Sequence, residues 1–236
     1  MDGSLWGGEF LAVTYGDCRR VAHLHPFALP GGEQAARERR RASLSVRWET
    51  FGAQPGGVGV EQDRAWKEQE PLLVAMLAKR THSPITTSMG RLFDAVASML
   101  GLCQVATFEG QAAMALEQEA MKASASVQGN DEAYPIALNA EGSGLPRWIA
   151  DWRPMIERIV DELSRGTERS LIAYRFHRAL AELIGQMAER VGLRQVVLTG
   201  GCFQNALLVD LARERLESAG FVALSHRQVP ANDGGL

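Results

Sequence analysis

Cysteine is scarce in this chain and poorly placed for structural chemistry. Cys18, Cys103 and Cys202 lie far apart, and none belongs to a CxxC pair. That spacing excludes a sequence-evident zinc finger or disulfide framework, and a reducing cytoplasm is the expected setting. Each cysteine has apolar neighbours and reads as a small buried residue rather than a nucleophile. No apolar run reaches the ~18 residues of a membrane helix, and the opening Met-Asp-Gly-Ser has neither the basic nor the apolar region of a leader. No membrane partner is expected. Positive charge is also thin: the net charge is -3, and the only dense basic run is Arg37, Arg39, Arg40 and Arg41. That run reads as the solvated face of a helix, so nucleic acid is not an expected partner either. GxSxG, HExxH and Walker patterns are missing, as are internal repeats.

What remains is ordinary globular composition, 46% hydrophobic and 22% charged over 236 residues, enough for one large domain or two small ones. Glu9 to Tyr15 and Arg19 to Leu29 read as paired strands turning at Gly16-Asp17. Helices are expected over 33–50 (arginines outward), 64–80, about 88–100, 108–121, 154–164 and 169–191, with linker-like sequence at 53–59 and a loop at 122–133. Ser88 is a natural N-cap for the third of these. Short strands are expected at 136–138 and 148–152. The middle is helix-rich, whereas strand and helix alternate in the last third, which argues for an α/β layer there.

The most informative stretch runs from Gln195 to Phe221. Val196-Val197-Leu198 reads as a short buried strand, Thr199-Gly200-Gly201 as a turn, and about 202–219 as a helix ending at Gly220. Two glycines ahead of a helix N-terminus suit phosphate: the backbone can approach closely, and N–H groups and the helix dipole point at the anion. Many α/β proteins make the same turn for packing alone. Asn205 adds an amide that both donates and accepts. Asp94 reads on its own as a solvent-facing or capping acid, Glu109-Gly110 as a helix start, and Asn232-Asp233-Gly234-Gly235 as a surface turn. His23 and His25 share one strand face, but no third ligand is evident, so a structural role is preferred. His82, His177 and His226 look isolated.

Taken in order, WGGEFLA (6–12), RRVAHLHPFALPGG (19–32), TSMGRLFDAVASMLGL (87–102), FEGQAA (108–113), LTGGCFQNALL (198–208) and VPANDGG (229–235) resemble the HypF-type carbamoyltransferases of hydrogenase maturation. Residues 33–80 and 122–165 match only loosely. The resemblance implies an α/β fold: part of an actin-like, sugar-kinase-like (ribonuclease H-like) ATPase domain, similar to the threonylcarbamoyl-transfer proteins. Residues 1–52 would be a remnant of its first lobe and 60–236 its second, nucleotide-binding lobe. It implies ATP as cofactor, carbamoyl phosphate as substrate, and HypE, through its C-terminal cysteine, as acceptor. Asp94 and Gly110 would touch the nucleoside, Gly200, Gly201 and Asn205 the phosphates and neighbouring atoms, and Asp233 a divalent metal. No residue is assigned to the chemical step itself. Because the family's upstream histidine pair and glycine-rich turn have no counterpart here, the resemblance also implies a fragment. An inactive nucleotide-binding module and a small-molecule O-carbamoyltransferase are the alternatives.

Overall fold

The computed structural model describes residues 3–52, 64–124, 132–142, 147–226, 228 and 231. The chain opens with an antiparallel hairpin, β1 (Glu9–Thr14) and β2 (Asp17–Leu24), which turns where Gly16-Asp17 suggests. β2 then pairs in parallel with β6 (Trp148–Asp151), and β6 pairs antiparallel with β5 (Ala137–Ala140). The result is a four-stranded sheet in the order β1-β2-β6-β5. Two further two-stranded sheets complete the strand set among the described residues. β3 (Phe27–Ala28) pairs with β4 (Ile85–Thr86), and β7 (Gln195–Leu198) pairs in parallel with β8 (Val222–Ser225).

Eight helices account for most of the remaining described residues. α1 (Glu33–Arg37), α2 (Arg39–Phe51) and α3 (Arg64–Lys79) precede β4. α4 (Met89–Met99) and α5 (Gln111–Ser124) follow it. α6 (Arg153–Ser164) and α7 (Arg169–Val191) lie between β6 and β7, and α8 (Ala206–Ser218) between β7 and β8. The boundaries follow local chemistry. Ser88 Oγ accepts from the Arg91 N–H and starts α4. Gly192 sits in the left-handed region at φ 73°, and ends α7.

The main core is built largely from the inner faces of α4 to α7, while α3 packs Trp66, Leu73 and Leu77 into a separate cluster with Leu44 of α2 and Ala28. Leu92, Phe93, Val96 and Met99 of α4 meet Leu116 of α5, Ile156 and Ile159 of α6, and Phe176, Leu180 and Leu183 of α7. Trp152 anchors the sheet to this core: its indole N–H donates to the His25 carbonyl at 2.7 Å, and its ring meets Phe27 edge-on.

Four expectations are corrected. The α2 arginines do not face outward: Arg39, Arg40, Arg41 and Arg47 are all buried. α2 is wedged among α3, α4, α6 and β3, so its polar side has no solvent to reach. Each guanidinium is matched locally instead: Arg39 by Asp94, Arg41 by Glu38, Arg40 by the Trp66 ring at 4.6 Å, and Arg47 by the Ser43 carbonyl. Cys18 is exposed, because it lies at the solvent end of β2. β7 is only half sheltered, with Leu198 buried and Val197 58% exposed, because α7 and α8 cover one face of the pair. The helix expected over 202–219 is broken: a 3-10 turn spans Gly201–Gln204, and α8 starts after it. The stretch 53–59 and most of the loop at 122–133 lie outside the described residues, α5 continuing through Ser124.

Candidate functional site

Asp94 lies on the buried side of α4, not in solvent, so its reading as a solvent-facing or capping acid is corrected. Arg39 Nη1 donates to its Oδ2 at 2.9 Å. Arg91, one turn earlier on α4, brings Nη1 to 2.8 Å of the same oxygen, close enough for an ion pair but poorly aligned for a hydrogen bond. Both contacts go to Oδ2, leaving Oδ1 to accept from another group. Burial pushes the Asp94 carboxyl up to about 6 against the pull of Arg91 and Arg39. Two guanidiniums around one carboxylate leave local positive charge, tempered by Glu109, which acts on Arg91. Gly110 follows Glu109 with φ 78°, and its carbonyl accepts from the Met114 N–H at 2.9 Å, so it starts α5. A side chain there would meet no atom, so the glycine is required by its backbone angle rather than by crowding.

Around the second glycine motif, Gly200 has φ 102° and open space where a side chain would be, and Gly201 begins the 3-10 turn. Its N–H is not free, contrary to expectation: it donates to the Ala231 carbonyl at 2.8 Å. That bond brings Ala231 onto the glycine turn, and Asp233 lies outside the described residues.

The start of α8 is also already occupied. Ala206 and Leu207 donate their N–H groups to Glu117 Oε1 on α5, at 2.7 and 3.3 Å. Leu208 donates to Asn205 Oδ1 at 2.8 Å, making Asn205 the N-cap. The α8 dipole is therefore spent on a carboxylate of the protein itself. A phosphate at this turn would meet the N–H groups at the front of the 3-10 turn rather than those of α8.

His177 is not isolated. Its Nε2 lies 2.9 Å from Asn205 Nδ2, its Nδ1 lies 2.7 Å from the Ala173 carbonyl, and its ring meets those of Phe93 and Phe176 edge-on. Burial in this aromatic setting pulls it down to about 4, so the ring is neutral. It links Phe93, Asp94's neighbour on α4, to Asn205 at the start of α8. Glu117 ties α5, which Gly110 starts, to the same place. Burial pushes the Cys202 thiol in the turn up to about 11, so it is an inert packing group there.

Among the described residues, no three His, Cys, Asp or Glu side chains cluster as metal ligands. His23 Nδ1 meets the Leu24 carbonyl and His25 Nε2 meets Glu49. No helix among the described residues is long and apolar enough to cross a membrane.

The family model described as "Carbamoyltransferase, Kae1-like Domain, second subdomain" matches residues 1–236. The carbamoyltransferase HypF of Synechocystis sp. is 39% identical over the whole chain, which spans 31% of that protein. HypF2 of Cupriavidus necator is 33% identical, again over the whole chain and 31% of its own length. A crystal structure of full-length HypF in its phosphate- and nucleotide-bound form superposes with a TM-score of 0.82 at 30% identity, over 99% of this chain and 30% of that one. The mixed α/β fold is thus that of the HypF Kae1-like domain. The chain belongs to the HypF carbamoyltransferase family, whose members named here it spans for less than a third of their length.

Proposed function

We propose that this chain holds and orients the nucleotide for the ATP-dependent carbamoyl transfer of nickel-iron hydrogenase maturation. In this reading carbamoyl phosphate is hydrolysed to carbamate and phosphate. Carbamate then attacks ATP, giving carbamoyl-adenylate and releasing pyrophosphate. The C-terminal cysteine sulfur of HypE finally takes the carbamoyl group and AMP leaves. Asp94 accepts from a ribose hydroxyl through Oδ1 while Arg39 and Arg91 hold Oδ2. Gly110 lets the chain pass close to the nucleoside. Gly200, Gly201 and Asn205 receive the phosphates, and residues 60–236 form the nucleotide-binding lobe. Asp233 remains the proposed metal ligand. Among the described residues no three His, Cys, Asp or Glu side chains form a metal site without it.

The observation that carries this reading is the side-chain-free turn at Gly200, whose 3-10 continuation contacts α4, the helix that carries Asp94. The family match and the nucleotide-bound crystal structure of a relative support it. The test is calorimetric titration of the chain with ATP. Wild-type binding should be lost in Gly200→Ala but kept in Gly220→Ala, which carries similar backbone strain (φ 102° against 83°) at the far end of α8. Equal binding by both variants would sink the assignment.

A further inference from the structure

Asn205 can present an amide N–H or an amide oxygen to a ligand, and the choice is set by His177. The Ala173 carbonyl can only accept, so Nδ1 of the buried His177 carries the hydrogen. Nε2 of the neutral ring is then a bare acceptor, and the Asn205 atom 2.9 Å from it must be the donating amide nitrogen. The opposite flip fails twice: it sets Oδ1 against the Nε2 lone pair and the amide N–H groups against the Leu208 N–H. In the observed orientation Oδ1 accepts from Leu208 at 2.8 Å, one Nδ2 hydrogen goes to His177, and the second is left over. A phosphate oxygen needs a donor, and an amide oxygen in that place would repel it.

We propose that His177 is a positioning residue for the nucleotide site, whose bare Nε2 locks the Asn205 amide with its spare hydrogen available to a phosphate oxygen. It acts from α7, outside every residue assigned to the nucleotide above. The lock also fixes the junction between the 3-10 turn and α8, on which the placement of Gly200 and Gly201 depends. The inference rests on the nucleotide reading of the site, and its two parts are tested separately.

The experiment is long-range proton–nitrogen NMR of the labelled chain, followed by ATP titration of wild type, His177→Phe and His177→Gln. Wild type should show an unprotonated Nε2 and one slowly exchanging Asn205 amide hydrogen. His177→Phe keeps the ring packing but offers no acceptor. It should lose that protection and bind ATP about tenfold more weakly. His177→Gln restores an acceptor and should recover most of both. A protonated Nε2, or ATP binding by His177→Phe as tight as wild type, overturns the proposal. The expected tautomer in a wild type that binds no ATP would instead overturn the nucleotide reading and leave His177 as a support of the α8 cap.

Discussion

Replacing His177 with Phe should change how stability depends on pH, and the structure fixes the sign. Unfolded, the imidazole titrates near its ordinary value of 6.5; folded, it titrates near 4. The unfolded chain therefore binds more protons across that window, and stability contributed by the neutral ring is lost as pH falls from 6.5 towards 4. At 1.36 kcal/mol per unit the loss reaches about 3 kcal/mol. Asp94 works the other way. Its folded value near 6 lies above the ordinary 3.8, so its contribution is full at acid pH and is lost as pH rises through 6, by about 3 kcal/mol. Between pH 4 and 6 the two slopes nearly cancel in wild type. His177→Phe removes one of them. Urea unfolding at half-unit steps from pH 4.5 to 7.5 should show wild type gaining about 1.4 kcal/mol per pH unit relative to the variant up to 6.5, and nothing above. The variant should also start about 1–3 kcal/mol lower at pH 7, because Asn205 loses its acceptor. Parallel pH curves for the two proteins would refute the buried, neutral histidine.

Arg39→Met should cost about 3–5 kcal/mol by urea unfolding and raise the Asp94 carboxyl further above 6, seen in a carbon-detected titration of that side chain, because a buried charge loses its aligned donor. Glu117→Gln should cost about 1 kcal/mol in the same unfolding assay by removing the charge seated on the first N–H groups of α8, with faster amide exchange at Ala206 and Leu207. Phe93→Ala, at a ring packed edge-on against Phe176 and His177, should cost about 3–5 kcal/mol.

Local signals in the sequence were dependable. Ser88 starts α4, the inner-face run through Phe176, Leu180 and Leu183 spans α7, and Gly220 closes α8 as its position suggests. What eluded the sequence depends on partners far along the chain. The arginine run of α2 looks solvated because charge usually is, and only the neighbouring helices bury it. Glu117 reaches α8 across 89 residues, so nothing near Gly200 warns that the helix N-terminus is already filled. Val197 has the residue type of a buried strand, but cover on one side only leaves it exposed. His177 could have been suspected. It sits one residue after Phe176 on the apolar face of α7, and a polar ring there needs a partner. Its partner, Asn205, lies 28 residues on, just after the Gly200-Gly201 turn.

We propose that one nucleotide site is shared by α4, the start of α5 and the glycine turn. Its most direct test is the amide spectrum of the labelled chain during addition of ATP. Saturable shifts are expected at Asp94, Gly110, Gly200, Gly201 and Asn205, with the Arg39 and Arg91 side chains moving in step. Saturating ATP that leaves those signals in place, or that shifts only residues remote from them, would contradict it.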